Sequence, residues 1–281
     1  QLAQRLRQAE EQKQTLQGQL TEAQVQVTEL AGRLEQAESI PTENVLYAFA
    51  PNKISVIDPT SARIVNEITE GLTDLDWSDA IVTNDNRFIF ANERANAQVV
   101  VIDTQEQEIV NRIDVGPRPT HSYNPLHGDE IWTHSDEEGA FYVIDVNTQE
   151  VTDKVVAALN DTGHGKLRYH EALGDKSYAT NTNDPAAFVI DRGLKEVIKT
   201  IELCATDEGT GGTHGKAYSP HSGHAYFECS RTGQTAVVDT ATDTVLKYLD
   251  GRGQLFESPD DKLVVMVDKR NNQLNVIDAT K

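Results

Sequence analysis

The architecture can be read most directly from residues 214–248, whose sequence is HGKAYSPHSGHAYFECSRTGQTAVVDTATDTVLKY. Four short runs rich in β-branched and aromatic residues alternate with turns that contain Gly, Pro, Ser and Asp. The runs begin at Gly215, His224, Thr235 and Thr244. This spacing predicts one sheet of four antiparallel strands, ordered from an inner to an outer strand.

The third run ends in an apolar pair followed by aspartate, and this phrase occurs six times along the chain. Successive aspartates lie 45, 42, 46, 48 and 39 residues apart. A strand-and-turn repeat of about 40 to 50 residues is typical of β-propeller blades, which bury their faces against their neighbours. We expect each aspartate to cap the turn that leaves the third strand. The six aspartates are Asp58, Asp103, Asp145, Asp191, Asp239 and Asp278.

The sequence therefore predicts an all-β protein with a six- to seven-bladed β-propeller over residues 41–281. The first repeat has a second, a third and an outer strand but no inner strand. The last repeat reaches Lys281 before its outer strand. We expect the natural chain to continue past Lys281 for at least one more strand.

Residues 1–40 have a different composition, rich in Gln, Glu, Leu and Ala, and predict an α-helical coiled-coil stalk. Apolar residues recur at alternating steps of four and three over five heptads, with Lys13 as the only polar interruption. Pro41 ends the helix. We expect residues 2–37 to pair with another copy of the chain or with a partner helix, the alternative being a helix folded back on the propeller. The positions of the seam are Leu2, Leu6, Ala9, Lys13, Leu16, Leu20, Ala23, Val27, Leu30, Leu34 and Ala37.

Composition restricts the partners and the compartment. The net charge of -20 and the pI near 4.7 argue against a nucleic-acid partner, because phosphate backbones require a basic face. The chain starts at Gln1 within a periodic pattern, so a signal peptide or a membrane anchor is expected to precede it. The two cysteines, Cys204 and Cys229, exclude a four-thiolate zinc site and leave either one disulfide or two free thiols.

The repeats resemble the YVTN-type propeller repeat of surface-layer proteins and of cytochrome cd1-like and nitrous-oxide-reductase-like propeller domains. The likeness covers residues 45–281 and is carried by His214-Gly215, Ser219-Pro220 and Gly223, followed by residues 237–242, VVDTAT. It implies the propeller fold and a periplasmic or extracellular location. It implies no particular activity.

Histidines and carboxylates gather on one predicted face of the propeller. Three histidines lie at the starts of inner strands in consecutive blades, and a histidine and a glutamate lie at the ends of second strands, which point to the same face. Imidazole with carboxylate suits Zn or Cu. The predicted metal-binding residues are His121, His134, His164, His214 and Glu228. These histidines are alternatively structural features of the repeat.

Alignment of the blades also predicts which residues lie next to this cluster. The equivalent position in the second blade carries Asp76 or Asp79, and Lys166 and Lys216 are candidates for orienting the imidazole rings. Cys229 lies on the same face, where it could pair with Cys204 or serve as a thiolate ligand.

Motifs for catalysis are lacking: the sequence contains no nucleophile elbow, phosphate-binding loop, zinc-protease pair or flavin fingerprint. We therefore favour a metal-binding propeller that holds or delivers Zn or Cu, without enzymatic activity. One alternative is a protein-interaction propeller displayed on the coiled-coil stalk. Another is a lyase or lactonase that uses the channel, because propellers host such sites.

Overall fold

The computed structural model describes residues 14, 17–21, 23–28, 44–125, 128–204 and 212–280. Most of the predicted stalk lies outside these residues. The part that is described, between residues 14 and 28, is helical and exposed, with Leu20 and Val27 of the predicted seam facing solvent. The helix agrees with the predicted secondary structure, but the pairing of residues 2–37 into a coiled coil stays a prediction.

Residues 46–278 form six antiparallel sheets, each built from strands that follow one another in sequence. Four sheets have four strands and two have three, and each sheet corresponds to one repeat of the sequence. We number these sheets blades 1 to 6. Blade 1 contains β1 (Leu46–Ala50), β2 (Lys53–Asp58) and β3 (Arg63–Ile68); blade 2 contains β4 (Trp77–Val82), β5 (Phe88–Glu93), β6 (Gln98–Asp103) and β7 (Glu108–Asp114); blade 3 contains β8 (Pro119–Tyr123), β9 (Glu130–Ser135), β10 (Ala140–Asp145) and β11 (Glu150–Val156). Blade 4 contains β12 (Gly165–Tyr169), β13 (Lys176–Asn181), β14 (Ala186–Asp191) and β15 (Glu196–Glu202); blade 5 contains β16 (Thr213–Ser219), β17 (His224–Cys229), β18 (Gln234–Asp239) and β19 (Thr244–Asp250); blade 6 contains β20 (Gln254–Glu257), β21 (Leu263–Asp268) and β22 (Gln273–Asp278). A short 3-10 helix, Glu171–Leu173, lies between β12 and β13.

The repeated aspartate caps its turn as predicted. In blade 3, Asp145 accepts hydrogen bonds from the backbone N–H groups of Asn147 and Thr148 at 2.9 and 2.7 Å. In blade 5, Asp239 does the same for the two corresponding residues. The hydrogen bonds from Thr148 and its neighbour lower the pKa of Asp145 despite a small opposing effect of burial. The aspartate is therefore a structural residue of the repeat.

The apolar pair before each aspartate has a second role that the sequence did not predict. In blades 1 to 5, the register between the third and fourth strands shifts within this pair, as a β-bulge does. The shift falls between Val143 and Ile144 in blade 3 and between Val237 and Val238 in blade 5. Each blade thus bends its outer edge at the same place.

Among the residues that the structure describes, the hydrophobic core is divided into five clusters, each between two consecutive blades. Trp132 and Phe141 of blade 3, for example, pack with Leu167 and Phe188 of blade 4 in one cluster. Full burial of a large apolar side chain contributes roughly 1.5 to 3 kcal/mol, so these clusters supply most of the attraction between blades. Within the residues that the structure describes, no cluster joins blade 6 to blade 1.

The two three-stranded sheets are the ones expected from the sequence. Blade 1 lacks an inner strand next to β1, and blade 6 lacks an outer strand next to β22 among the described residues. Whether the natural chain continues past Lys281 stays a prediction. No helix within the described residues is both long enough and apolar enough to cross a membrane.

Cys204 and Cys229 form a disulfide that links blade 4 to blade 5, with their Cα atoms 5.5 Å apart. Both sulfurs are fully buried in the cluster between these blades. The pairing resolves the choice that the sequence left open. Cys229 is therefore not available as a thiolate ligand for a metal.

Candidate functional site at the channel mouth

Three inner strands bring three imidazoles together. His121 lies on β8, His164 directly precedes β12, and His214 lies on β16. The ring centroids of His121 and His164 are 4.9 Å apart, and those of His164 and His214 are 5.3 Å apart. The prediction that equivalent positions of consecutive blades converge is thus correct for these three residues. We call them the imidazole row.

Each ring of the imidazole row is held through its Nδ1 atom. Nδ1 of His121 lies 3.3 Å from the carboxylate of Asp79, and Nδ1 of His164 lies 3.1 Å from both carboxylate oxygens of Asp136. Nδ1 of His214 contacts the side-chain amide of Gln254 at 2.5 Å. Within the described residues, Nε2 of these three rings has no hydrogen-bond partner. Nδ1 of His121 and of His164 donates to a carboxylate, so the Nε2 lone pair of these two rings remains available to a ligand. Nδ1 of His214 accepts from the amide nitrogen of Gln254, so Nε2 of its neutral ring carries the proton and can donate.

Of the two aspartates proposed for blade 2, the structure selects Asp79. Asp76 turns away and forms an ion pair with Arg94 at 2.8 Å. Asp79 instead contacts His121 and also accepts the backbone N–H of Ser122 at 3.3 Å. Blade 2 thus carries Asp79 where blade 3 carries His121, and the carboxylate of Asp79 contacts that histidine.

His134 has a different environment from the imidazole row. Its side chain is fully buried, and its Nδ1 atom lies 3.1 Å from Asp136. Its Nε2 atom is buried without a hydrogen-bond partner among the described residues and faces Gly165, where an added Cβ would lie 2.4 Å away. Burial lowers the pKa of His134, against the effect of Asp136, so the ring is neutral. His134 therefore contacts Asp136 from the buried side and holds its carboxylate in position.

Asp136 connects these two histidines. Burial alone would raise its pKa, but hydrogen bonds from His134 and His164 outweigh burial and hold the pKa well below its usual range. The carboxylate is therefore charged at neutral pH and supplies a negative charge beside His164. Asp136 is not among the residues predicted from the sequence. Its position two residues after His134, at a strand end on the same face, would have indicated it.

Glu228 lies on the predicted face but is engaged with the backbone. Its Oε2 atom accepts the N–H of Gly215 at 3.0 Å. Together with His214 it lines a cavity of about 380 Å³ between blades 5 and 6, whose walls also include Arg252 and Arg270. Glu228 thus borders the site next to His214 without being part of the imidazole row.

Glycine follows two of the histidines for steric reasons. A Cβ at Gly215 would lie 2.2 Å from the carbonyl oxygen of Gly253, and one at Gly165 would meet His134. These distances are far below contact. The inner strand of blade 5 can therefore approach blade 6, and that of blade 4 can approach β9 of blade 3, only because both positions are glycine.

Two lysines follow the imidazoles into the channel. Burial lowers the pKa of Lys166, partly offset by Glu228 and Asp79. Burial also lowers the pKa of Lys216 strongly, and Lys166 adds to the effect by charge repulsion. Neither amine has a hydrogen bond to an imidazole among the described residues, so the predicted role in orienting the rings is not observed.

The lysines change the electrostatics of His214. Burial is the largest cause that lowers the pKa of His214, to about 3, and Lys166, His164 and Lys216 lower it further. His214 is therefore neutral at physiological pH. The His121 end of the row faces Asp79 and Asp136, whereas the His214 end faces two amines.

In the ranges that the structure describes, no group of three or more His, Cys, Asp or Glu side chains has the geometry of a metal site. The five predicted residues thus do not form one ligand shell. The structure brings His121, His164 and His214 into a row, places His134 behind Asp136, and directs Glu228 to the backbone of Gly215.

Comparisons with known proteins agree on the architecture. No family model matches the chain. A chain of the mitotic checkpoint complex has a TM-score of 0.62 at 16% identity and covers 84% of this chain and 71% of that chain. Dihydro-heme d1 dehydrogenase has a TM-score of 0.61 at 15% identity over 75% of this chain. The chain is a β-propeller.

The match to dihydro-heme d1 dehydrogenase covers 46% of that protein, so this chain spans less than half of its length. Hydrazine synthase from Kuenenia stuttgartiensis is also similar, with a TM-score of 0.49 at 13% identity over 85% of this chain and 93% of that chain. At 16% and 15% identity, the similarities to the mitotic checkpoint complex chain and to dihydro-heme d1 dehydrogenase show the fold alone.

Proposed function

We propose that this propeller binds one Zn or Cu ion through the Nε2 atoms of His121 and His164. The observation that carries the proposal is the hydrogen-bonding state of these two rings: each Nδ1 atom is engaged by a carboxylate, and each Nε2 atom is left without a protein partner among the described residues. Histidines that bind metals are typically held in this way, because the second ring nitrogen needs a partner that fixes the ring.

The charge distribution places the ion towards one end of the row. Asp79 and Asp136 supply negative charge beside His121 and His164 without having to touch the ion. Lys166 disfavours a cation next to His214, as it disfavours protonation of that ring. We therefore assign His121 and His164 as the ligands and exclude His214, whose Nε2 atom carries the proton of the neutral ring.

The donor set restricts the class of ion. Neutral imidazoles suit Zn and Cu, whereas Mg and Ca prefer shells of oxygen ligands. Both cysteine sulfurs are joined in the disulfide, so a thiolate does not contribute. The channel mouth would hold the ion with an open coordination position, which suits storage or delivery.

Metal analysis of untagged protein tests the proposal. We expect one equivalent of Zn or Cu to bind by isothermal titration calorimetry after the protein has been stripped with EDTA and dialysed. The double variant His121→Gln/His164→Gln should bind at least about tenfold more weakly. A matched control is His221→Gln/His224→Gln, which alters two histidines in the turn at the start of β17. Absence of binding to the parent, or equal loss in both double variants, would overturn the proposal.

We also place the protein outside the cytoplasm, in the periplasm or the extracellular space. The disulfide between Cys204 and Cys229 supports this, since structural disulfides persist in oxidising compartments. The likeness to YVTN-type repeats points the same way. Thiol labelling of the protein recovered from its native cells checks it: two unreactive cysteines without reductant are expected, and two reactive ones would contradict the assignment.

A second candidate function is display of the propeller to a protein partner. Exposed apolar side chains on blade 6, Phe256, Leu274 and Val276, are the observation that favours it. Pairing of residues 2–37 with another copy would then present several propellers together. Sedimentation of the full chain, with and without residues 1–40, would show whether that segment forms oligomers; a monomer in both cases would remove this role for the stalk.

A further inference from the structure

The channel behind the imidazole row has a layered arrangement on β12. His164, Lys166 and Arg168 alternate with Gly165 and Leu167, and Leu167 faces the core between blades 3 and 4. Because side chains alternate between the two faces of a strand, Lys166 and Arg168 lie on the side opposite this core, in line with His164. One histidine and two cationic side chains therefore follow one another along the same strand face.

The neighbouring inner strand adds a second amine. Lys216 on β16 is paired with Phe227 and lies on the same face as Tyr218, which packs in the core between blades 4 and 5. Lys166 lies on the face of β12 that is directed to this same core, because Arg168, two residues on, is paired with Tyr178. Both side chains therefore project between the inner strands of blades 4 and 5, beside His164 and His214, whose ring centroids are 5.3 Å apart. We call Lys166 and Lys216 the lysine pair.

The carboxylates near the lysine pair already have other partners. Glu228 accepts the N–H of Gly215 at 3.0 Å. Glu257 accepts the N–H of Tyr218 at 2.7 Å and pairs with Arg168 at 2.8 Å. Within the part of the chain that the structure describes, neither amine of the lysine pair has a hydrogen bond or an ion pair with a protein group.

Cationic side chains without a carboxylate partner are unusual in this protein, which has 45 Asp and Glu against 25 Lys and Arg. An ammonium group has three donors and no acceptor. The lysine pair therefore has donors available for a bound anion.

We propose that Lys166 and Lys216 together bind the oxyanion group of a small molecule, a carboxylate or a phosphate, inside the channel. Each ammonium group offers three donors, and two ammonium groups that project into the same space can bind two oxygens of one anion. The neutral ring of His214 lies beside the pair and can add a further hydrogen bond. This inference goes beyond metal binding by the imidazole row and does not depend on it.

Calorimetry on metal-free protein tests the proposal directly. The probes are inorganic phosphate, acetate and succinate, each titrated at constant ionic strength set with chloride. Binding by phosphate alone would identify a phosphate site, and binding by acetate or succinate a carboxylate site. Absence of binding by all three probes would overturn the proposal.

Variants separate a binding role from a structural one. We expect Lys166→Met/Lys216→Met to bind the anion at least about tenfold more weakly and to unfold at a similar temperature, because neither amine has a hydrogen bond to a protein group to lose. Lys247→Met, at an exposed position on β19, is the control and should bind like the parent. Unchanged anion binding by the double lysine variant would contradict the assignment.

The same variants distinguish this site from the proposed metal site. His121→Gln/His164→Gln should keep anion binding in metal-free protein, and the double lysine variant should keep one equivalent of Zn or Cu. Loss of anion binding in the histidine variant would mean that the imidazole row, and not the lysine pair, holds the anion. Failure of metal binding alone would leave the anion site standing.

Discussion

The two ends of the imidazole row occupy equivalent positions in the repeat but differ in charge. At the His121 end, Asp79 and Asp136 hold the rings and supply negative charge. At the His214 end, a neutral amide contacts the ring and the lysine pair lies nearby. The same backbone position thus carries imidazoles of different character. The difference comes from the neighbouring blades, since Asp79 belongs to blade 2, Asp136 to blade 3 and Gln254 to blade 6.

This contrast explains how one channel mouth can serve two kinds of ligand. A cation is favoured where carboxylates support the rings, and an anion is favoured where amines lack partners. Propeller blades tolerate such variation because each blade contacts mainly its two neighbours, so a change at one inner strand leaves distant blades unaffected.

The largest effect should follow from Asp136→Asn, which removes the charge shared by His134 and His164. We expect the free energy of unfolding to fall by about 2 to 4 kcal/mol at neutral pH, because a buried histidine loses its charged partner. Metal affinity should fall about 10- to 100-fold. Chemical denaturation and calorimetry measure the two effects, and unchanged values in both would contradict the role of Asp136.

The difference in unfolding free energy between the parent and Asp136→Asn should change with pH in a defined direction. Because the pKa of Asp136 is lowered in the folded protein, its contribution is complete above the ordinary carboxyl pKa of about 4 and is lost as the pH falls through the folded value. The stability difference between the parent and Asp136→Asn should therefore be largest near neutral pH and shrink in acid. A difference that grows in acid would show that the carboxylate is not stabilised by its histidine partners.

A smaller effect is expected at the glycines that let the inner strands approach. Gly215→Ala would place a Cβ 2.2 Å from a backbone oxygen, and Gly165→Ala would place one 2.4 Å from His134. We expect each to cost about 1 to 3 kcal/mol, with Gly215→Ala the worse because a backbone carbonyl cannot rotate away. Gly128→Ala, whose nearest neighbour would be 3.6 Å away, is the control. Equal stability of all three variants would mean that the blades separate freely at this point.

The propeller was predictable because its signal is repeated and local. Six copies of an apolar pair followed by aspartate define the blades, and each copy is legible in its own strand and turn. The convergence of His121, His164 and His214 followed from the same alignment. The sequence left open whether Cys204 and Cys229 form a disulfide or remain free thiols, and the structure shows the disulfide.

The details of the site depend on contacts between blades, which no single repeat contains. The direction of His134 is set by Gly165 of the next blade, and the hydrogen bond of Glu228 is made to an adjacent strand. The presence of two lysines near the histidines could be predicted, since the sequence His-Gly-Lys occurs in both blades 4 and 5. Its lack of protein partners became apparent only when the surrounding carboxylates were placed.

The smallest change tests the charge difference between the two ends without disturbing the fold. Removing the amine in Lys166→Met should raise the pKa of His214 from about 3 towards its ordinary value, because one of the charges that disfavour the protonated ring is gone. The recovery should be partial, since burial is the larger cause. Titration of the imidazole C–H signals by NMR measures it, with Lys247→Met as the control. An unshifted His214 would mean that burial alone sets its charge and that the lysine pair does not reach it.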